Sequence, residues 1–430
     1  MDTRQWTQYL HSAACADKLA WLYCCRPEST GPFAARFIKT IDGLEATFGP
    51  APAGVRLFSA PGRTEIGGNH TDHQHGRVLA GSVNLDVIAA AVPNDENVIR
   101  IQSEGYKMDV IDLAQLQPVD SERNRSASLV RGIAAYFAQA GRPVAGFNAY
   151  TTSNVPKGSG LSSSAAFEVL VGVMINSLSG GQPVGPVEIA QVGQWAENRY
   201  FGKPCGLMDQ MASSVGNIIA IDFQNPASPA LETVELDLAH TGHALCILDS
   251  GADHADLTDE YAAVPEELAQ VCRVFGQKVL RQVDEAQFWA RLGEVRAAAG
   301  DRGVLRAAHV YADDHRVEQQ VAALRQHDFD RFLRLVNESG QSSWECLQNV
   351  IPAGYTRHQD VALTIRLCQH LLRGKGAVRV HGGGFAGTVQ AFVPLQQLDA
   401  FKAGTEKVLG EGACHILSIR PVGGTEFTAE

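Results

Sequence analysis

No stretch of this 430-residue chain is apolar for long enough to span a bilayer; the longest apolar stretch, around Phe167 to Ile175, is broken by Glu168. Residues Met1 to Leu10 lack the basic segment and apolar core of a secretory signal, so a cytoplasmic location is expected. The nine cysteines form no C-x-x-C pair, and Cys24 and Cys25 are adjacent. Their odd count and scatter oppose a disulfide framework and predict reduced thiols. Positive charge is in short supply: 36 Lys and Arg against 47 Asp and Glu give a net charge of −11. That balance sets aside nucleic acid and anionic membrane as partners, and any anion site must draw on local charge. There is no G-x-x-x-x-G-K-[ST], which excludes a Walker-type phosphate loop, and no G-x-S-x-G elbow, which opposes a serine hydrolase. Repeats and low-complexity tails are also missing.

What remains is 45% hydrophobic with 42 glycines, a balance that suits a globular protein with a large core and two domains. Residues 1–50 read as helices, with Trp6, Leu10, Leu19, Leu22, Phe37 and Ile41 at apolar positions. Residues 55–59 and 83–92 read as strands; the unbroken apolar run Val87 to Val92 marks a buried one. Residues 98–113 alternate like a half-exposed hairpin around Glu104-Gly105. Ser128 to Gln139 and Val187 to Tyr200 read as helices and Gly216 to Phe223 as a strand. A looser stretch with Pro226 and Pro229 puts a domain boundary nearby. His243 to Ser250 is the next strand, residues 259–345 are helical, and Ala377 to Val380 and Thr388 to Val393 are short strands around a glycine cluster. This alternation predicts an α+β fold. The expected division is a helical extension at 1–50, a first lobe at 51–238 and a second at 239–430.

Four segments carry candidate chemistry. Asn154 to Ala166 reads NVPKGSGLSSSAA and runs into the helix-like stretch Phe167 to Ile175. Glycines let backbone N–H groups approach a ligand, and the first turn of a helix leaves N–H groups unpaired at its positive end, which together make a phosphate seat. The serines can cap the helix, bond phosphate oxygens or ligate Mg²⁺; an ordinary loop with serine caps is the plainer reading. The second segment, Ser59 to His73, packs Arg63, Glu65, Asn69, His70, Asp72 and His73 among glycines, as a polyhydroxylated ligand requires. A metal site on His70, Asp72, His73 and His75, or a polar surface loop, are its alternatives. The third comprises Glu197 and the run Cys205-Gly206-Leu207-Met208-Asp209-Gln210. Asp209 stands among apolar neighbours, where a carboxylate needs a reason to be present, and it can deprotonate a hydroxyl or cap a helix. His381 to Gly387 satisfies G-x-G-x-x-G by letter, but a strand follows where a dinucleotide fingerprint demands a helix, so a glycine turn between strands is expected.

In their order along the chain these segments resemble the GHMP kinases, and among them the galactokinase family. Ala60-Pro61-Gly62-Arg63 with His70-Thr71-Asp72 looks like the family signature, Pro156 to Ala166 like its phosphate loop, Gly382-Gly383-Gly384-Phe385 like its third motif, and Cys205 to Gln210 like its catalytic-base segment. The resemblance spans residues 55–425. It implies two lobes, the first like ribosomal protein S5 domain 2 and the second ferredoxin-like, with the site in the cleft between them. It implies transfer of the ATP γ-phosphoryl to the anomeric hydroxyl of galactose. Carried over by position, Asp209 would be the general base and Arg63 its partner. Gly158, Ser159, Gly160, Leu161, Ser162, Ser163 and Ser164 would wrap the ATP phosphates, and Ser164 and Glu197 would hold Mg²⁺. Asn69, His70, Thr71, Asp72 and Tyr261 would meet the sugar. The partners are thus a small sugar and ATP; oligomeric state is left open, a monomer being one reading.

Several positions depart from the family. Asn69 stands where glutamate is usual and Glu65 where asparagine is; His73 replaces a tyrosine, Ala386 a glycine and Thr388 a cysteine, and Ala262 to Pro265 follow Tyr261 where paired arginines are common. An amide at 69 removes a charge and adds N–H donors. On that ground galacturonate is an alternative substrate to galactose. A catalytically silent sugar sensor and a kinase for a non-sugar alcohol are the other readings.

Overall fold

The computed structural model describes residues 1–430 except 52, 157, 204, 235, 239, 252–256, 386 and 430. Lys157 and Ala386, both within expected motifs, lie outside the described residues. Three helices come first: α1 (Thr3–Leu10), α2 (Ala13–Tyr23) and α3 (Gly31–Phe48). Asp2 opens α1 with a capping box, accepting from the Gln5 N–H at 2.7 Å while the Gln5 side chain accepts from the Asp2 N–H at 2.9 Å. All six apolar positions expected of residues 1–50 are buried, packed with Leu57, Ile88, Ala90 and Phe427. The N-terminal helices are therefore a layer covering one face of a sheet.

That sheet contains β1 (Arg56–Gly67), β2 (Arg77–Pro93), β3 (Val98–Ser103), β4 (Asp109–Asp112), β5 (Phe147–Ser153), β6 (Ile218–Asp222), β7 (Ala230–Val234) and the last strand of the chain, β12 (Thr425–Phe427). The order is β12-β1-β2-β5-β3-β4, with β6 on the far half of β2 and β7 on β6; β3 and β5 run parallel. On the other face lie α4 (Ser126–Gln139), α5 (Ser163–Leu178), α6 (Pro186–Ala196) and α7 (Met208–Val215). After β7 the chain enters a second sheet at β8 (His243–Asp249). It then runs through α8 (Thr258–Val274), α9 (Glu285–Ala290), α10 (Leu292–Arg325, bent at Gly300), α11 (Phe329–Ser342) and α12 (Asp360–Leu372). The hairpin β9 (Ala377–Val380) and β10 (Thr388–Pro394), helix α13 (Leu398–Leu409) and β11 (Cys414–Leu417) complete it. The order β11-β8-β10-β9 is antiparallel throughout, the β-α-β-β-α-β arrangement of a ferredoxin-like layer.

The fold is α+β, as expected, and three local differences have physical causes. Strand β1 continues eight residues past Ser59, to Gly67, through Pro61 and Gly62, which read as a loop. Register shifts between Pro61 and Arg63 and between Glu65 and Gly67 absorb those residues. The stretch after Pro226 is partly ordered as β7, an edge strand with little burial and hence little hydrophobic alternation. Strands β11 and β12 are four and three residues long, too short for a period to register.

The distal part of β1 is where the two sheets meet. Arg379 of β9 donates to the Ile66 carbonyl at 2.7 Å, and Gln390 of β10 to the Glu65 carbonyl at 2.8 Å, so the second sheet grips the backbone of a strand of the first. From the other side, Asp313 of α10 accepts from the Asn69 N–H at 2.8 Å and His309 bonds the Asn69 carbonyl at 3.0 Å. Arg77 and Arg281, each bonded to Asp222 and Asp314, tie β2 and β6 to α10.

A buried carboxylate ties the outer layer to the sheet. Asp86 is fully buried and accepts from the Tyr23 hydroxyl at 2.6 Å, from Arg36 at 2.7 Å, from Arg420 at 3.2 Å and from the Ser59 hydroxyl. Burial alone raises its pKa, but Arg36 and Arg420 outweigh burial and hold it below the ordinary value. A depressed value stabilises the fold fully above the unfolded-state value of about 3.9, and that share is lost as pH falls through the folded value. Asp86→Asn strands two guanidiniums without their counter-charge and is expected to cost about 3 kcal/mol at pH 7. Urea midpoints check this: the wild type should weaken as pH drops below about 4, and the variant should start lower and lose less.

Candidate active site

The glycine–serine loop is wound tightly into α5. Gly158, Gly160 and Ser162 all have positive φ, at 74°, 68° and 53°. Ser162 stands at the N-cap of α5, yet its side chain makes no cap bond; its hydroxyl donates to Asp209 Oδ2. The plainer reading of the loop as serine-capped thus fails at the capping position, and the first-turn N–H groups of a sixteen-residue helix are left for a ligand. The backbone closes on β1, with the Arg63 N–H donating to the Leu161 carbonyl at 3.0 Å. A Cβ on Gly62 would sit 2.8 Å from that carbonyl oxygen, so this approach requires glycine.

Arg63 and Asp209 meet side-on. Arg63 Nε donates to Asp209 Oδ1 at 2.7 Å and Nη2 to Oδ2 at 2.9 Å, a bidentate fork, while Nη1 donates to the Gly160 carbonyl. Asp209 lies in the first turn of α7. Burial raises its carboxyl pKa, but the Arg63 charge and the bonds from Arg63 and Ser162 prevail and hold it below the usual value. His381 supports the same corner. Its Nε2 accepts from the Glu65 N–H at 3.3 Å, so Nδ1 carries the proton toward Thr388 Oγ1 at 2.9 Å, and Thr388 donates onward to the Ser159 carbonyl at 3.0 Å. Burial, then Arg63 and Arg379, push its pKa well down, which keeps the ring neutral for that relay. Thr388, a departure from the family, therefore pins the loop.

Beside this pair is a cleft of about 300 Å³ lined by Arg63, Glu65, His70, Asp72, Asp209 and Tyr261, with Lys203, Gly382 and Gly383 at its rim. His70 (φ 60°) bonds the Gly383 carbonyl at 3.0 Å, and burial lowers its pKa to about 4, leaving it neutral. The Tyr261 hydroxyl donates to the Gly384 carbonyl at 2.7 Å. The glycine run lies between β9 and β10, a turn between strands as expected. Two of the five residues expected at the sugar do not line this cleft. Thr71 is fully buried and its hydroxyl serves the carbonyls of Gly68, at 2.8 Å, and Arg77. Asn69 is also fully buried, and its amide is engaged behind the wall. The metal reading of His70, Asp72, His73 and His75 finds no support, since no group of three or more metal-ligating side chains converges among the described residues.

Ser164 is exposed on a second cavity, about 550 Å³, which opens beside the loop and is lined by Tyr106, Leu129, Thr151, Phe167 and Phe201 along with Ser163. Flat and apolar side chains suit a purine ring there. None of these lining residues other than the serines stood out in the sequence, because they come from five separate parts of the chain; the exposed Tyr106 in the β3–β4 turn was the nearest signal. Glu197 opens a π-helical turn after α6 and is buried. Gln210 Nε2 donates to it and to Glu168 at 2.9 Å each, and Lys203 Nζ is 3.8 Å from it. Among the described residues no bond joins Ser164 to Glu197.

Residues 128–217 match the GHMP kinases N terminal domain, and residues 44–93 the galactokinase galactose-binding signature. The galactokinase of Actinobacillus pleuropneumoniae serotype 5b (strain L20) is 32% identical over 340 residues, 78% of this chain and 84% of that protein. That of Glaesserella parasuis serovar 5 (strain SH0165) is 30% identical over 359 residues, covering 81% and 88%. Among solved structures, Lactococcus lactis galactokinase complexed with galactose superposes with a TM-score of 0.76 at 24% identity, covering 90% of this chain and 98% of that one. A mevalonate kinase gives 0.61 at 13% identity, covering 85% and 99%, so the fold is that of the GHMP kinases. With an arginine–carboxylate pair bonded to a glycine–serine loop, and relatives matched over most of their length, the chain belongs to the galactokinase family.

Proposed function

We propose that this protein is a galactokinase, moving the γ-phosphoryl of ATP to the anomeric hydroxyl of galactose to give galactose 1-phosphate and ADP. One observation carries the reading: the Asp209 carboxylate, forked by Arg63, is hydrogen-bonded through Ser162 to the loop that would seat the phosphates. The sugar cleft and the purine cavity are thereby joined at the point of transfer. Asp209 orients the anomeric hydroxyl and takes its proton as the oxygen bonds to phosphorus and ADP departs. Its depressed pKa makes it a weak base, so its main work is alignment, as the loose transition state of phosphoryl transfer permits. Arg63 keeps Asp209 ionised and sits against the charge that moves. His70, Asp72 and Tyr261 hold the sugar hydroxyls. Asn69 and Thr71 shape the turn that carries them, and Gly158 to Ser164 wrap the phosphates.

Mg²⁺ suits the donors present. Ser164 and Glu197 offer hard oxygens, Glu168, which shares Gln210 with Glu197, leaves its buried Oε1 without a partner among the described residues, and Mg²⁺ needs one or two carboxylates plus substrate phosphates rather than a finished cage. An ion held by these residues would supply positive charge to the phosphates of ATP during transfer. All nine cysteines are free thiols, which supports a reduced cytoplasmic setting. The two sheets act as the two lobes, with β12 belonging to the first.

Asp209→Asn keeps the shape and loses the proton acceptor. Its kcat is expected to fall about 10²- to 10⁴-fold with the KM for galactose within a few-fold of wild type, read by coupled ADP release. A near-normal kcat would show that Asp209 is not the base. Chelation with EDTA should abolish turnover, and added Mg²⁺ should restore it; undiminished turnover in EDTA would remove the ion from the mechanism.

A further inference from the structure

The carboxylate of Glu65 is placed as a ligand rather than a filler. Glu65 and Asn69 are the two positions where this chain exchanges the family's amide and carboxylate, and they touch: Asn69 Nδ2 donates to Glu65 Oε1 at 2.8 Å. Asn69 has no capacity left. Its amide nitrogen also donates to the Gly382 carbonyl at 2.6 Å, and its oxygen accepts from Asn349 at 2.8 Å and Ser343 at 3.3 Å, so both donors and both acceptor sites are used. A carboxylate at 69 would confront the Gly382 carbonyl, which explains the amide there. Glu65 is half committed. Oε1 also takes the Arg379 guanidinium at 2.8 Å, while Oε2 makes no hydrogen bond among the described residues, and the residue lines the cleft. Glu65 lies two residues from Arg63 in unshifted register on β1, on the same face and about 7 Å along the strand, roughly the span of a hexose ring.

We propose that Glu65 is the specificity-determining residue at the sugar end of the cleft. Its free Oε2 accepts a hydrogen bond from a hydroxyl on the ring edge away from the anomeric oxygen, and it repels a sugar that bears a carboxylate there. Arg379 and Asn69 are its positioning residues. The expectation from Asn69 alone, a site tolerant of galacturonate, is reversed, because a carboxyl group stands four residues earlier; burial raises its pKa to about 7 against the pull of Arg379, so the repulsion is fullest above neutral pH. This rests on the sugar-kinase reading. A plain counter-ion role for Glu65 toward buried Arg379 is the competing account, and it predicts an effect on stability only.

Kinetics with galactose, its 3-, 4- and 6-deoxy analogues and galacturonate separate the two accounts. The wild type is expected to use galacturonate at least 100-fold less efficiently than galactose. Glu65→Gln should raise the galactose KM at least tenfold with the ATP KM within twofold, and shift the galacturonate-to-galactose ratio of kcat/KM at least tenfold upward. One deoxy analogue should be penalised at least tenfold by the wild type and not by the variant. If Arg379 left without its counter-charge unfolds Glu65→Gln, the pair Glu65→Gln with Arg379→Gln removes both charges and is read the same way. An unchanged galactose KM, deoxy penalties that persist in the variant, or a wild type indifferent to galacturonate would each overturn the assignment. A wild type that phosphorylates none of these sugars would instead overturn the kinase reading.

Discussion

The fork between Arg63 and Asp209 is the contact on which the site depends. It is not an isolated ion pair. The same guanidinium reaches the Gly160 carbonyl, and the same carboxylate receives the Ser162 hydroxyl, so three chain segments that are distant in sequence converge within one hydrogen-bonded set. A planar guanidinium with donors on three nitrogens can satisfy a carboxylate and a carbonyl at once, which a lysine ammonium cannot do with the same fixed geometry. Pairing and burial here act in opposite directions on Asp209, and pairing wins. A carboxylate that stays ionised and immobile is more useful for aligning a hydroxyl than a stronger base that wanders.

The surrounding architecture keeps that set from relaxing. Strand β1 starts in the first sheet, paired on both edges at Leu57 to Ser59, and ends clasped by side chains of β9 and β10, with side chains of α10 on Asn69 just beyond it. Its distal half therefore belongs to both lobes. The His381–Thr388 relay repeats the same device at the loop, holding the Ser159 carbonyl from the second sheet. The cleft floor is built from backbone held by buried polar side chains, with little reliance on flexible surface groups.

Much of this was legible in the sequence, for reasons that differ by element. The N-terminal helices showed because Trp6, Leu10, Leu19 and Leu22 fall at helical spacing, and the hairpin at 98–112 because its alternation is clean. Arg63, Asp209 and the loop from Gly158 to Ser164 stood out as motifs. The extension of β1 did not, since Pro61 and Gly62 are strand-breaking types tolerated here at a register shift. That the Asn69 amide is already engaged did not show, because its partners, Gly382, Asn349 and Ser343, come from the distant half of the chain; a residue type states what can be bonded, and only the fold states whether the capacity is already used. The cavity beside Ser164 escaped notice for the same reason: its lining comes from separate parts of the chain.

The placement of β12 has a consequence for biosynthesis. Leu57 and Phe58 sit on an edge of β1 that is closed by Glu426 and Phe427. Until those residues leave the ribosome, the first lobe has an apolar, unpaired strand edge and an unfinished seat for the N-terminal helices, the kind of surface that recruits other chains. Completion of the nascent first lobe must therefore wait for the second to be translated, so the two lobes mature together rather than in succession.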